Sequence, residues 1–299
     1  MPSRVFMVRP AAFGPNPQTA QSNAFQSTEK PPFNLQEIAR SEFDALVHSL
    51  RAAGVFVEVF DEPFETANPD AVFPNNWVSF HPNKGHVFLY PMLAPTRRDE
   101  RRPQWVAQLV RSWPQSNITD LSPYEQEGRY LEGTGSLIFD PLQEFVYATR
   151  SPRTDDALVL EVARQLGVKA LLFDAFDSRG KAIYHTNVVF GVGRHAALGC
   201  WNAIPAKQRK ELITTLNKAN RPVIPLSHQQ MTSFAGNWIE LEGQNGPVMA
   251  ISQTAWNSLS QDQTSVFQDI YDVVIGQIPS IETFGGGSVR CMICTVDTR

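Results

Sequence analysis

The chain has 299 residues, 42% hydrophobic and 19% charged, a balance that supports a packed globular core. Its net charge of −4, with no long basic block, argues against nucleic acid as a main partner, and no run of about 18 apolar residues is present to cross a membrane. Three scattered cysteines are too few for a disulfide framework, and the N-terminus lacks a signal peptide's apolar region, so a soluble, cytoplasmic protein is expected.

In chain order, residues 16–32 read as a polar loop. Asn34 with Glu37 then resembles a helix N-cap and its partner, close to a capping box. Leu35, Ile38, Phe43, Leu46, Val47 and Leu50 follow at broadly helical spacing. A short pattern comes next and recurs: a small or amide residue, an apolar run, a turn and a second apolar run. It reads Asn76-Trp77-Val78-Ser79-Phe80 with Val87-Phe88-Leu89-Tyr90, and again Gly135-Ser136-Leu137-Ile138-Phe139 with Phe145-Val146-Tyr147. A third copy is Asn187-Val188-Val189-Phe190 with Ala196-Ala197-Leu198, and a fourth is Asn237-Trp238-Ile239-Glu240-Leu241 with Val248-Met249-Ala250-Ile251. The lead residues recur roughly every fifty positions, and one more step reaches Ser288, followed by Met292-Ile293. Helical patterns at 154–166 and 205–216 fall between the apolar pairs. Five strand–strand–helix units closing in a ring would make a single domain spanning 1–299.

The end of the chain carries the most chemistry. Gly285-Gly286-Gly287-Ser288-Val289-Arg290-Cys291 places a cysteine just after a run that leaves backbone amides unshielded. Amide donors or positive charge beside an accessible thiol favour the thiolate. Units related by rotation would bring equivalent positions to the axis, where Cys291, His185, Glu132 and Asp70 could meet. Each has an ordinary alternative: a core histidine, a strand-initiating glutamate, a turn aspartate after Asn68-Pro69, a buried inert thiol.

These segments resemble the guanidino-group-modifying enzymes, which comprise amidinotransferases, arginine deiminases and dimethylarginine hydrolases. The resemblance is carried by Asp70-Ala71-Val72-Phe73, Glu132-Gly133, the His185 segment and the glycine turn ending in Cys291. Val8-Arg9-Pro10, residues 16–26, Phe73-Pro74-Asn75-Asn76-Trp77, Tyr90-Pro91-Met92 and Arg97-Arg98 place it nearest the citrulline utilization hydrolases. It implies an α/β fold, the five-bladed α/β-propeller known as the pentein. It implies Cys291 as nucleophile, His185 as general acid and base, and Glu132 as the carboxylate that holds the reacting nitrogens. Asp70, Asn75, Asn76 and Asn187 are then candidate substrate-binding residues. Arg97, Arg98 and Arg153 are candidates for gripping an amino-acid carboxylate, a task that suits the guanidinium fork.

Departures from the wider pattern bear on the substrate. Two acids of the dimethylarginine hydrolases become Asn75 and Asn76. The deiminases' Glu-Gly-Gly-Asp becomes Glu132-Gly133-Thr134-Gly135, and their His-x-Asp becomes His185-Thr186-Asn187. A desolvated guanidinium needs opposite charge nearby, whereas a neutral ureido group is served by amides. The expected function is therefore cysteine-dependent hydrolysis of citrulline to ornithine, carbon dioxide and ammonia. The alternatives are a guanidinium-directed enzyme (arginine deiminase, dimethylarginine hydrolase or amidinotransferase) and a non-catalytic pentein binding module. No metal or other cofactor is expected, since the six histidines are dispersed without zinc-type spacing. The expected partner is a small amino-acid substrate, with no nucleic acid or membrane, and a homo-oligomer is compatible.

Overall fold

Each apolar pair read from the sequence forms an antiparallel hairpin, and each hairpin gains a third strand alongside. The computed structural model describes residues 1–66 and 68–297. Strand β1 (Arg4–Arg9) pairs in parallel with β2 (Phe56–Asp61) across the helix Leu35–Ala52. The second sheet comprises β3 (Val78–His81), β4 (His86–Leu89) and β5 (Asn117–Asp120). The third comprises β6 (Ile138–Phe139), β7 (Phe145–Thr149) and β8 (Lys169–Phe173). The fourth holds β9 (Phe190–Val192), β10 (Ala197–Gly199) and β11 (Val223–Pro225), and the fifth β12 (Ile239–Glu242), β13 (Pro247–Ser252) and β14 (Asp272–Gly276). The last strand, β15 (Cys294–Asp297), returns to pair antiparallel with β1 and completes the first sheet.

Five three-stranded sheets therefore follow one another around an axis, as the expected five-bladed α/β-propeller requires. Neighbouring sheets touch through β15 and β3, β6 and β9, and β9 and β12. Gly133 against Asn75 joins the second sheet to the third, and the Ser3 amide donating to the Glu242 carbonyl at 2.7 Å joins the fifth to the first. The repeat is strand–strand–helix–strand, one element longer than the sequence indicates. The extra strands hide because they lie at outer edges and are short or half exposed: every residue of β5 is at least partly exposed, and β11 has three residues.

Several local expectations change. Asn34 precedes the helix Leu35–Ala52, but its side chain caps nothing, so the capping box does not form there. Ser227 with Gln230 and Ser260 with Gln263 form capping boxes instead. The polar stretch after Phe13 contains a short helix, Pro17–Ala20, capped by Asn16. Val188 and Val189 belong to the one-turn helix Thr186–Val189, so the third hairpin starts later, at Phe190. Helices Pro103–Leu109 and Gln261–Gln268 complete the pattern of one helix per unit. Among the described residues, no helix is long and apolar enough to cross a membrane.

The core lies between each sheet and its helix. Phe43, Leu46 and Leu50 of Leu35–Ala52 bury against Val5, Met7 and Val57, the outcome of apolar residues on one helical face. Near the axis the packing is tight enough to exclude side chains. A Cβ on Gly133, whose φ is +41°, would lie 2.3 Å from the Asn75 carbonyl oxygen. One-turn segments at the head of β3, β6, β9 and β15 thus pack shoulder to shoulder, placing residues 75–76, 133–136, 186–189 and 289–292 at one end of the axis.

A buried ion pair joins the third and fourth sheets. Arg221 donates to Asp140 and, at 2.9 Å, to the Gly193 carbonyl, while the Tyr147 hydroxyl also donates to Asp140 at 2.9 Å. Removing one partner strands the other charge, which costs about 3–5 kcal/mol. Arg221→Met should lower unfolding free energy by that amount in urea titrations, and a loss below about 1 kcal/mol would show that this pair does not hold the sheets together.

Candidate active site

The glycine run exists to let a loop pass a phenylalanine. Cβ atoms on Gly285 and Gly287 would lie 2.8 and 2.9 Å from the Phe73 ring. Gly286 has φ +65°, and a Cβ there would strike Asn23 at 2.4 Å. The chain then turns through Val289–Met292 and presents Cys291, which is buried and not in the open cleft that the run implied. Asn187 and Asn237 donate to its sulfur from 3.4 and 3.3 Å. Asn237 is itself fixed, donating to the Asn187 carbonyl at 3.2 Å and accepting from the Arg290 amide at 3.1 Å. Two N–H dipoles aimed at one sulfur suit a negative charge on it.

His185 lines the same cavity as Cys291. Its Nε2 lies 2.8 Å from Glu132 Oε2, which also accepts from Arg153 at 3.1 Å, while Glu132 Oε1 accepts from the Leu93 amide at 3.2 Å. Burial raises the Glu132 carboxyl, but the charge of Arg153 and the bond to His185 outweigh it and hold the group below the usual carboxylate range. Burial pushes His185 down to about 4, against the pull of Glu132. At neutral pH the pair is a carboxylate beside a neutral imidazole.

Asp70 lines the same cavity, accepting from Asn16 at 2.7 Å and Thr19 at 3.3 Å, with Arg97 Nε at 3.9 Å. Burial raises its carboxyl despite these contacts. Arg97 spends its fork on Glu100, with bonds of 2.9 and 2.8 Å, and donates to Asn76 at 2.7 Å. Burial raises Glu100 to about 7, the charge of Arg97 holding it back. Arg153 stacks 4.8 Å from the Tyr184 ring centre and donates to Ser22 and to the Thr19 carbonyl.

The structure thus brings Cys291, His185, Asp70, Asn76, Arg97 and Arg153 around one cavity, with Glu132 and Asn187 behind it. Two candidates fall outside. Arg98 donates to the Met92 carbonyl and pairs with Glu125 at 3.3 Å. Asn75 turns its amide to Thr134 at 3.3 Å. The cavity holds about 20 Å³, close to the space of one water molecule. Thr19 and Asn23 of the N-terminal segment are among its lining residues.

A model of the family "N,N dimethylarginine dimethylhydrolase, eukaryotic" matches residues 9–297. The chain belongs to this family. No curated protein matches it in sequence. Among solved structures, it is similar to the N-terminal domain of ArgZ, an arginine dihydrolase from the ornithine–ammonia cycle in Cyanobacteria, seen as a cysteine-to-serine variant bound to substrate. That match has TM-score 0.74 and 16% identity over 99% of this chain and 98% of that one. Against the apo structure of ArgZ the TM-score is 0.74 at 17% identity, and the chain spans 41% of that chain's length. A dimethylarginine dimethylaminohydrolase with an S-methyl-L-thiocitrulline adduct matches at TM-score 0.66 and 14% identity, over 99% of this chain and 100% of that one. The five sheets are the pentein fold of these neighbours.

Several residues at this dimethylhydrolase-family site were not singled out from sequence. Asn237 leads the fourth repeat, and carrying the repeat's register to the axis would have found it beside Asn187. Glu100 stands three positions after Arg97, ion-pair spacing on a helical turn. Nothing local marks Ser22 or Asn23, which reach the site only through the path of the N-terminal segment.

The state of His185 has a consequence for stability. Its folded pKa of about 4 lies below the ordinary 6.5, so on acidification the unfolded chain takes up the proton first. The stability it contributes is present above pH 6.5 and is lost as pH falls toward 4. Urea titrations across this window should show a steeper loss for the native protein than for His185→Gln. Parallel curves would mean that His185 is not held neutral.

Proposed function

We propose that the chain is a cysteine-dependent hydrolase of ureido amino acids that converts citrulline and water to ornithine, carbon dioxide and ammonia. One observation carries the choice of a neutral ureido group: the sulfur of Cys291 is flanked by two asparagine amides, Asn187 and Asn237, where acids would add charge against the nucleophile. The surrounding charge is balanced as well. Arg97 and Arg153 offset Glu100 and Glu132, and burial raises the Asp70 carboxyl. A guanidinium buried there would gain little counter-charge.

In this reading the neutral His185 takes the thiol proton as Cys291 attacks the ureido carbon. Collapse of the tetrahedral adduct breaks the bond to the departing amine, which receives that proton and leaves as ornithine. A carbamoyl thioester remains on sulfur. His185 then takes a proton from water, hydroxide adds to the thioester carbon, and the thiolate departs. The carbamic acid released decomposes to carbon dioxide and ammonia. Glu132 orients His185 and stabilises its charged form, while Asp70 and Asn76 hold the ureido group in line. Arg153 serves the substrate carboxylate by exchanging its contacts with Ser22 and Thr19, a better candidate than Arg97, whose fork is taken by Glu100. The three free cysteines accord with a cytoplasmic setting.

A guanidinium substrate is the second reading, favoured by the family match and by the two carboxylates that remain, Asp70 and Glu132. Offering citrulline, arginine, dimethylarginine and agmatine side by side decides between them. Citrulline should yield ornithine and ammonia, and turnover of arginine or dimethylarginine alone would overturn the first reading. Cys291→Ala should abolish turnover, and His185→Ala should lower kcat by about 10²–10⁴-fold with a smaller effect on binding.

The charge argument has its own test in Asn187→Asp. An acid about 3.4 Å from the sulfur opposes the thiolate and the charge developing on the ureido oxygen, so citrulline turnover should fall. A guanidinium would gain a charge-assisted bond, so arginine should bind better relative to citrulline. An unchanged ratio would mean that the amides do not encode substrate charge. Asn75→Asp, by contrast, should leave that ratio unchanged, because its side chain faces Thr134.

A further inference from the structure

Three buried arginines each have a carboxylate: Arg97 has Glu100, Arg153 has Glu132 and Arg221 has Asp140. Arg290, next to the nucleophile, does not. Among the described residues its guanidinium makes no ion pair and no hydrogen bond, and its Nε is shut off from solvent without an acceptor. Burial pushes the group down to about 10, opposed only by the sulfurs of Cys291 and Cys294. Arg290 as a whole is half-buried, so its unpaired charge is open to solvent and to an incoming ion.

The arginine lines a second cavity, larger than the one at Cys291, with a volume of about 180 Å³. All five sheets contribute walls, through Ser79, Phe139, Val192, Leu241 and Thr295. These residues lie along the axial strands β3, β6, β9, β12 and β15, beyond the one-turn segments that hold the cysteine site. The cavity is therefore axial, and the helix Val289–Met292 separates the two chambers. Two carboxylates also line it. That of Glu240 is occupied by the amides of Arg194 and His195 and by the Tyr271 hydroxyl. Glu242 is half buried, and neither acid acts on the charge of Arg290.

We propose that the axial cavity binds a small monovalent anion, of halide to bicarbonate size, on the Arg290 guanidinium. Arg290 and Arg194 both line the cavity without an ion pair among the described residues, alongside Glu240 and Glu242. The free donors of Arg290, and not the cavity's net charge, call for a small anion. The volume admits such an ion with a few waters and excludes nucleotides and large polycarboxylates. The guanidinium supplies several N–H donors in one plane, which a spherical or trigonal anion can accept. The site lies across the Cys291 helix from the substrate cavity, so it stands whether or not citrulline is the substrate.

Bromide is the probe. Crystals of the native protein soaked in bromide should show anomalous density within hydrogen-bonding distance of the Arg290 guanidinium. In solution, replacing gluconate with bromide at constant ionic strength should raise Tm by about 2 °C at tenfold the dissociation constant. Arg290→Gln should lose that increment. If Arg290→Gln does not fold, the crystal of the native protein decides. Ordered water alone at Arg290, the Glu242 carboxylate swung onto it, or a bromide increment unchanged in Arg290→Gln would each overturn the proposal.

Discussion

A single carboxylate with no exposed surface organises the site. Glu132 receives His185 and Arg153 on one oxygen and the Leu93 amide on the other. Through Leu93 it reaches the connection between β4 and β5 of the second sheet, through His185 the entry to the fourth, and through Arg153 the N-terminal residues Thr19 and Ser22. Burying such a charge is tolerable only with this set of partners, since an ion pair offsets desolvation only when its geometry and remaining hydrogen bonds are complete. The bond to Glu132 orients His185, while burial keeps the imidazole neutral against the pull of that carboxylate. The N-terminal segment, the proposed acid–base group and the ring of sheets are thus tied to one ionised group.

Chain closure is the second constraint. Cys291, the proposed nucleophile, sits just before β15, the strand that completes the first sheet by pairing with β1. The neighbouring Cys294 lies on that strand, buried, with its thiol directed at the Val78 carbonyl at 3.5 Å. Burial raises that thiol and keeps it protonated. Two cysteines three positions apart therefore have different surroundings: one receives amide dipoles, the other packs into the core.

Much of this was legible in the sequence because propeller units repeat. The hairpins, the roughly fifty-residue period and the meeting of Cys291, His185 and Asp70 at one cavity follow from apolar runs and the positions that recur with them. The outer strands β5 and β11 were not legible, since short, half-exposed edges carry little alternation. Asn75 and Asn76 could not be told apart by composition. The turn Pro74–Asn76 sends one toward Thr134 and the other toward Arg97. Arg97 looked free to grip a substrate, but its partner Glu100 lies on the same turn and takes the fork. The approach of residues 16–26 to the site depends on long-range contacts, such as Asn23 donating to the Gly286 carbonyl at 3.0 Å, which no local pattern encodes.

The central claim is that Cys291 carries the carbon of a ureido group during turnover. Rapid acid quenching of the native protein with citrulline, followed by peptide mass spectrometry, tests it most directly. The account predicts the mass of one carbamoyl group on the peptide containing Cys291, and on no other cysteine. An unmodified Cys291 during active citrulline turnover, or an adduct formed from arginine and never from citrulline, would contradict it.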